Sequence, residues 1–266
     1  EQSIGKLLIS GILPGAVMSG AFIACVIVLV AINPKLAPRG TEKVTFRDKL
    51  IALKGVWEVL LVFCIVMGGI YLGFINPTEA GAIGATALFI IVIIKKKLTK
   101  QNMFAALLEM ARISIMVLFL VAGATLFSYF LALSTIPTAV STWIAGLGVS
   151  KYIILVIIVA IYLLLGCFLD SVSMMVLTLP VIFPVIVAIG FDPIWFGVLL
   201  VLMMEAGLIT PPVGLNIYTI AGIAPDVPMG TIFRGAMPFL LSVIATAIIL
   251  TIFPQIATYL PSLMGR

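Results

Sequence analysis

The segment GLITPPVGLN, at residues 207–216, lies in the middle of an apolar run and decides how the chain is built. A proline within a helix lacks an amide hydrogen and clashes with the carbonyl four residues earlier. Pro211 and Pro212 therefore release the carbonyls of Gly207 and Leu208, and the flanking glycines let the chain unwind. A simple proline kink is the alternative, but it needs only one proline. We predict a helix that stops and restarts over about residues 194–222, exposing carbonyls that can bind a cation.

A second interruption precedes this one, where Asp170 separates two apolar runs, Tyr152–Leu169 and Ser171–Phe191. An exposed cytoplasmic loop is one interpretation, but the interruption carries no basic residue. The other is a re-entrant hairpin over about residues 152–190, whose tip stays inside the bilayer. Non-helical backbone is tolerated there only where it lines a cavity or a site. Because an acidic residue inside a membrane is a functional candidate, the sequence favours the re-entrant hairpin.

The composition places these two features in a membrane protein. Apolar residues make up 63% of the 266 residues and charged residues only 9%, with a mean hydropathy of +1.35. A soluble domain needs about a quarter of its residues charged. The apolar runs lack the ten-residue alternation of a membrane β-barrel. We therefore predict an all-α polytopic membrane protein with about six transmembrane spans, one re-entrant helical hairpin and one broken helix.

Several function classes are excluded by residue content. The chain has no histidine, and its three cysteines, Cys25, Cys64 and Cys167, lie far apart within apolar runs. This pattern argues against zinc, iron–sulfur and disulfide sites. Intramembrane aspartyl cleavage needs a second acid facing Asp170, and serine catalysis lacks its histidine. The net charge of +5 is confined to connecting segments, which argues against nucleic-acid binding. No enzyme activity and no bound organic cofactor are expected.

Basic residues predict the orientation in the membrane. They cluster in the connection 33–55 and around residues 95–100, and cytoplasmic loops carry such an excess. Lys43 and Lys97 are therefore expected inside, with Asn76 and Arg266 outside. The segment Phe46–Leu53 is short and mixed, which predicts an interfacial connector helix. The three tryptophans, Trp57, Trp143 and Trp195, are expected to be interfacial anchors.

A short sequence pattern that occurs twice suggests an inverted repeat. Gly11-x-x-Pro14 and Gly235-x-x-Pro238 each precede a long apolar helix, and the charge pattern orients these two helices oppositely. We expect five divisions of the chain. They are the end of a first repeat (1–32), a basic cytoplasmic connector (33–55), scaffold helices (56–137), a transport-domain part (138–227), and a last helix with a periplasmic C-terminus (228–266).

The motifs together resemble those of the large membrane subunit of tripartite ATP-independent periplasmic (TRAP) transporters, the DctM-like or SiaM-like component. The resemblance covers the whole chain, which is similar to the C-terminal part of that subunit. It is carried by the Gly11-x-x-Pro14 entry, NPTEA at 76–80, Phe168-x-Asp170, DPIWFG at 192–197 and GLITPPVG at 207–214. Asn76 departs from the threonine more often found there, and the first repeat with its own hairpin is missing.

This resemblance implies an elevator-type secondary transporter of the inner membrane, of which the chain holds the second half of an inverted repeat. It also implies sodium as the coupling ion, and import of an organic acid of the C4-dicarboxylate or sialic-acid type. The implied partners are a small TRAP membrane subunit, a periplasmic solute-binding protein and the remaining N-terminal part of the large subunit. The alternative is a stand-alone sodium/carboxylate transporter without a binding protein. A channel is a further possibility, which the single interrupted hairpin favours less than alternating access.

We expect the sodium site between the hairpin tip and the broken helix, because the ends of interrupted helices leave carbonyls unpaired and hard cations favour oxygen ligands. Helices restarting near Ser171 and Val213 would present amides to a substrate carboxylate. Asp170 is also a candidate N-cap. Candidate sodium-site residues are Gly166, Asp170, Gly207, Thr210 and Gly214. Candidate substrate-site residues are Asp170, Ser171, Ser173, Pro212, Val213 and Asn216.

Overall fold

The computed structural model describes residues 3–36, 56–146 and 148–263, and all regular secondary structure in these ranges is helical. Lys43, Arg266 and the expected connector helix Phe46–Leu53 lie outside the described residues. The helices are α1 (Ile4–Ser10), α2 (Ile12–Ile32), α3 (Trp57–Tyr71), α4 (Pro77–Ile94), α5 (Lys100–Ser134), α6 (Ile136–Gly146), α7 (Lys151–Gly166), α8 (Ser171–Ala188), α9 (Pro193–Leu208), α10 (Leu215–Ile223), α11 (Met229–Ile252) and α12 (Gln255–Leu263).

Five helical stretches in the described ranges are long and apolar enough to cross a membrane. They are Ile4–Ile32, Pro77–Ile94, Lys100–Ser134, Ser171–Ala188 and Met229–Ile252. Three shorter apolar helices, α3, α7 and α9, have 15 or 16 residues each. The prediction of an all-helical, multi-pass membrane protein is therefore confirmed. The count of about six spans and the inverted repeat stay predictions.

The chain divides into two compact units, of which the smaller comprises residues 33–115 with residues 3–5. Within it, α3 and α4 pack as a pair. Glu58, in the first turn of α3, forms a salt bridge with Lys95, which directly follows α4. At the other end, the Asn76 side chain accepts a hydrogen bond from the Glu79 amide, and the Glu79 carboxylate accepts one from the Asn76 amide. This capping box fixes the start of α4 and gives Glu79 a structural role.

The larger unit, residues 6–32 and 116 onward, is organised around α9. This helix packs against α7, α8, α11 and α12, and most of its side chains are buried. A helix packed among several neighbours needs no polar face, and one of its exposed residues is the apolar Val201, so α9 shows no amphipathic pattern. The helices α2 and α11, which carry the two Gly-x-x-Pro sequences, pack against each other, with Phe22 and Phe239 in edge-to-face contact.

The assignment of Trp195 as an interfacial anchor was wrong. Its side chain is only 1% exposed, and its ring stacks on Phe191 with centroids 4.9 Å apart. The indole Nε1–H donates to the Leu250 carbonyl at 2.8 Å. Residue 254 is a proline, so no amide four residues later can satisfy this carbonyl. Trp195 therefore completes the backbone hydrogen bonding of α11, a tertiary role that its place in an apolar run does not reveal.

We expect Trp195→Phe to lower the midpoint of thermal unfolding, because it keeps the ring stack but leaves the Leu250 carbonyl unsatisfied. The expected loss in the free energy of unfolding is about 1–3 kcal/mol. Thermal unfolding of the purified complex measures it. Trp143→Phe is the control, since Trp143 is 67% exposed. Equal unfolding midpoints for the two variants would contradict the role assigned to Trp195.

The antiparallel arms α7 and α8 form a hairpin with a polar link in its interior. The Tyr162 hydroxyl lies 2.7 Å from the Thr178 hydroxyl, and both residues are buried. Thr178 donates to the Met174 carbonyl at 2.7 Å, so Tyr162 is the donor to Thr178. This hydrogen bond between two apolar helices favours one relative register, because sliding would leave the buried Tyr162 hydroxyl without its partner.

Candidate functional site

The broken helix lies within the segment that the paired prolines predict. Helix α9 ends at Leu208, and α10 begins at Leu215, with a cis peptide bond between Pro211 and Pro212. The Gly207 carbonyl is not left free, because it accepts a hydrogen bond from the Thr210 amide at 3.0 Å. The residues three and four positions after Leu208 are prolines, which have no amide hydrogen. Neither can therefore donate the usual helical hydrogen bond to the Leu208 carbonyl.

Two residues shape the interior of the break. The Thr210 hydroxyl donates to the Ala206 carbonyl at 2.6 Å, which leaves its oxygen lone pairs available as an acceptor. Gly214 has a φ of +59°, and a Cβ there would lie 3.1 Å from Ile217 Cγ1 and 3.4 Å from the Thr210 carbonyl oxygen. Glycine is thus required both by backbone conformation and by close packing. The second half-helix starts at Leu215 with Gly214 as its N-cap, two residues later than the predicted start at Val213.

Asp170 caps the second arm of the hairpin, and α8 begins at Ser171 as predicted. One carboxylate oxygen of Asp170, Oδ2, accepts hydrogen bonds from the amides of Val172 and Ser173, both at 3.1 Å. Asp170 is half-buried. It therefore acts as the N-cap of α8.

The end of the first hairpin arm meets the break by direct backbone contact. A Cβ built on Gly166 would lie 2.6 Å from the Gly207 Cα, and a Cβ on Gly207 would lie 2.6 Å from the Gly166 Cα. Two helix C-termini thus touch with no side chain between them. Several of the last carbonyls are occupied here, since those of Leu164 and Leu165 accept the amides of residues 167–169 and that of Gly207 accepts the Thr210 amide. Helix C-termini nevertheless carry partial negative charge, and two of them meet at this contact.

The thiol of Cys167 joins the same two elements. Its sulfur lies 3.0 Å from the Pro211 carbonyl oxygen, across 44 residues of sequence, and 3.1 Å from the Leu163 carbonyl oxygen. The side chain is buried. This residue was absent from the predicted site, because a cysteine in an apolar run carries no local signal of a distant partner.

Of the predicted sodium-site residues, Gly166 contacts Gly207, and Gly214 packs near the Thr210 carbonyl. The hydrogen bonds of Asp170 are with the start of α8, so the sodium-site assignment stays a prediction. Of the predicted substrate-site residues, Ser173 lines a cavity of about 380 Å³ with residues of α5, and Asn216 lines another of about 440 Å³. The substrate assignments, including those of Ser171, Pro212 and Val213, stay predictions.

The larger of these cavities contains an acidic residue that the sequence analysis did not select. Glu205 lies on α9, one turn before the break, and lines the cavity together with Asn216. The remaining lining residues are apolar or glycine and come from α2, the break, α10 and α11. A glutamate inside an otherwise apolar run was a visible signal, since such residues are rare in membrane helices.

These features define a class: a multi-pass helical membrane protein in which a helical hairpin packs on an interrupted helix. The sequence matches the family model of the tripartite ATP-independent periplasmic transporter, DctM component, over residues 1–256. The chain belongs to this family.

Curated relatives agree with the family. The chain is 34% identical to the C4-dicarboxylate TRAP transporter large permease protein DctM of Pseudomonas aeruginosa, over 100% of this chain and 61% of that protein. It is 35% identical to the DctM of Rhodobacter capsulatus, over 100% of this chain and 60% of the relative. It is 30% identical to the sialic acid TRAP transporter large permease protein SiaM of Vibrio cholerae, over 99% of this chain and 61% of that protein. The chain thus spans about three-fifths of the length of these relatives.

Proposed function

We propose that this chain is part of the large permease subunit of a sodium-coupled TRAP secondary transporter of the inner membrane. The transporter imports an organic acid of the C4-dicarboxylate or sialic-acid type. The observation that carries the proposal is the contact between Gly166 and Gly207, which places the C-terminal ends of α7 and α9 against each other. The named relatives are permease subunits for such acids, which supports this substrate class.

Sodium fits the chemistry of this contact region. The proposed ligands are carbonyl oxygens at this contact, the Thr210 hydroxyl and the Asp170 carboxylate, which follows Gly166 by four residues in the sequence, and hard cations prefer oxygen ligands. In the described residues there is no group of three or more histidine, cysteine, aspartate or glutamate residues that could hold a transition metal. In the proposed cycle, the half-helix N-terminus at Leu215, whose N-cap Gly214 has no side chain to occupy the amides, presents them towards a substrate carboxylate, while the apposed C-termini hold the coupling ion.

The proposal includes the assembly that the family implies. The remaining N-terminal part of the large subunit contributes a second hairpin and a second broken helix, and a small membrane subunit completes the membrane complex. A periplasmic solute-binding protein delivers the acid. The transport part, residues 138–227, moves relative to the scaffold helices as an elevator. We prefer this binding-protein-dependent assembly to a stand-alone carrier because the relatives are TRAP transporter permeases.

Thr210→Val tests the sodium site. Valine has a similar shape but no oxygen, so we expect it to raise the sodium concentration for half-maximal uptake by about tenfold, which corresponds to about 1.4 kcal/mol of binding free energy. Sodium-driven uptake by the full transporter complex in liposomes, with its binding protein, measures this. Thr251→Val is a matched control, because Thr251 also donates to the carbonyl four residues earlier but lies on α11. An unchanged sodium requirement in well-folded Thr210→Val would place the site elsewhere.

A further inference from the structure

Cys167 occupies the position immediately after the Gly166–Gly207 contact, and its side chain points across that contact. The sulfur lies within 3.1 Å of two carbonyl oxygens, one in its own helix at Leu163 and one in the break at Pro211. A thiol has a single hydrogen, so the two carbonyls share one donor. The hydrogen bond to Leu163 is local, whereas the bond to Pro211 connects two elements that are distant in sequence.

The Pro211 carbonyl belongs to a stretch that is held to α9 by bonds of Thr210 but has few links to the hairpin. Neither Pro211 nor Pro212 can donate an amide, and the backbone contact of Gly166 with Gly207 has no side chain that could interlock. In the described part of the chain, the Cys167 thiol is the group that hydrogen-bonds from the hairpin to the break. This contact therefore contributes directly to the position of the Pro211 carbonyl relative to α7.

We infer that Cys167 is a positioning residue, whose thiol holds the Pro211 carbonyl against the end of α7 and thereby sets the geometry of the cation site. This inference rests on the proposed function, because it assigns Cys167 a role in that same site. The thiol does not bind the ion. It acts through the backbone of the break, and since S–H is a weak donor, the contact can separate and re-form during a transport cycle.

A buried cysteine can also be no more than a small apolar side chain that fills space. That alternative predicts a different result, because filling space affects stability while positioning affects the ion. The two roles are separated by measuring sodium dependence and thermal stability on the same variants.

In the full transporter complex, we expect Cys167→Ala to raise the sodium concentration for half-maximal uptake about three- to fivefold, with the maximal rate retained, as for the loss of one weak hydrogen bond. Cys167→Ser keeps a donor and should return this value to within about twofold of the parent. Cys25→Ala and Cys64→Ala, on α2 and α3, are controls that should leave it unchanged. If Cys167→Ala lowers the unfolding temperature but leaves the sodium dependence unchanged, or if serine behaves like alanine, the inference is overturned.

Alkylation of the native thiol tests the inference without any change at Cys167. N-ethylmaleimide is applied to the complex in sodium or in choline, and the modified Cys167 peptide is quantified by mass spectrometry. Sodium should slow the reaction of Cys167 severalfold and leave Cys64, which is exposed, unaffected. Equal rates in the two salts would overturn the inference.

Thr210→Val, measured in parallel, separates this inference from the proposed function. If Thr210→Val shifts the sodium requirement and Cys167→Ala does not, the cation site stands and the role of Cys167 fails. If neither variant shifts it, the proposed site itself is in the wrong place.

Discussion

Gly166→Val is expected to abolish transport by the full complex and to lower its thermal stability. The added side chain would start 2.6 Å from the Gly207 Cα, which is backbone and cannot move aside as a flexible side chain can. Forced overpacking of this kind costs about 1–3 kcal/mol or more. Helices α7 and α9 would separate at the proposed cation site. Uptake assays and thermal unfolding of the purified complex measure the two effects.

Gly166→Ala provides a graded test of the same contact, since it adds only the Cβ and should show a smaller loss in the same direction. Gly20→Ala is the control, because no atom lies within 4 Å of a Cβ built there. Wild-type transport by Gly166→Val would mean that the close approach of the two helices is not needed for function.

Asp170→Ala is expected to reduce transport nearly to background. The substitution removes the cap of α8, at a cost of about 1 kcal/mol, and also removes the negative charge at the hairpin tip. Uptake by the reconstituted complex and its thermal stability are measured together. We expect the loss of transport to be far larger than the loss of a cap explains.

Asp192 offers a matched control for this experiment, since it caps α9 in the same way. Its carboxylate oxygen Oδ1 accepts from the amides of Ile194 and Trp195 at 2.8 and 2.9 Å. Asp192→Ala should therefore cost similar stability but leave transport largely intact. Asp170→Asn keeps a capping side chain without the charge, and it should transport poorly. If Asp170→Ala and Asp192→Ala reduce transport equally, Asp170 serves only as a cap.

The features that the sequence predicted are those set by neighbouring residues. The cap at Asp170 and the break at the paired prolines each depend on a few adjacent positions. A missing amide or a side-chain cap acts within one helical turn, so it can be read without knowledge of the fold.

The features that the sequence did not predict depend on which helices meet. Trp195 satisfies a carbonyl 55 residues away, and Cys167 contacts one 44 residues away. Both lie in apolar runs, and the same pattern is compatible with a lipid-facing position. The candidate carbonyls at Gly166 and Gly207 were named from helix ends, but their direct contact follows from the packing of α7 on α9, which local sequence does not specify.

The two ends of the α7–α9 pair differ in how firmly they are joined, and this difference has a mechanical consequence. At the end where both helices begin, the Lys151 ammonium lies 4.9 Å from the centre of the Phe191 ring, which stacks on the buried Trp195. At the opposite end, two glycines touch and one weak thiol bond spans the gap. Separation costs least where few atoms are in contact. We therefore expect α7 and α9 to separate at their C-terminal ends, with the aromatic contacts at their N-terminal ends acting as a hinge.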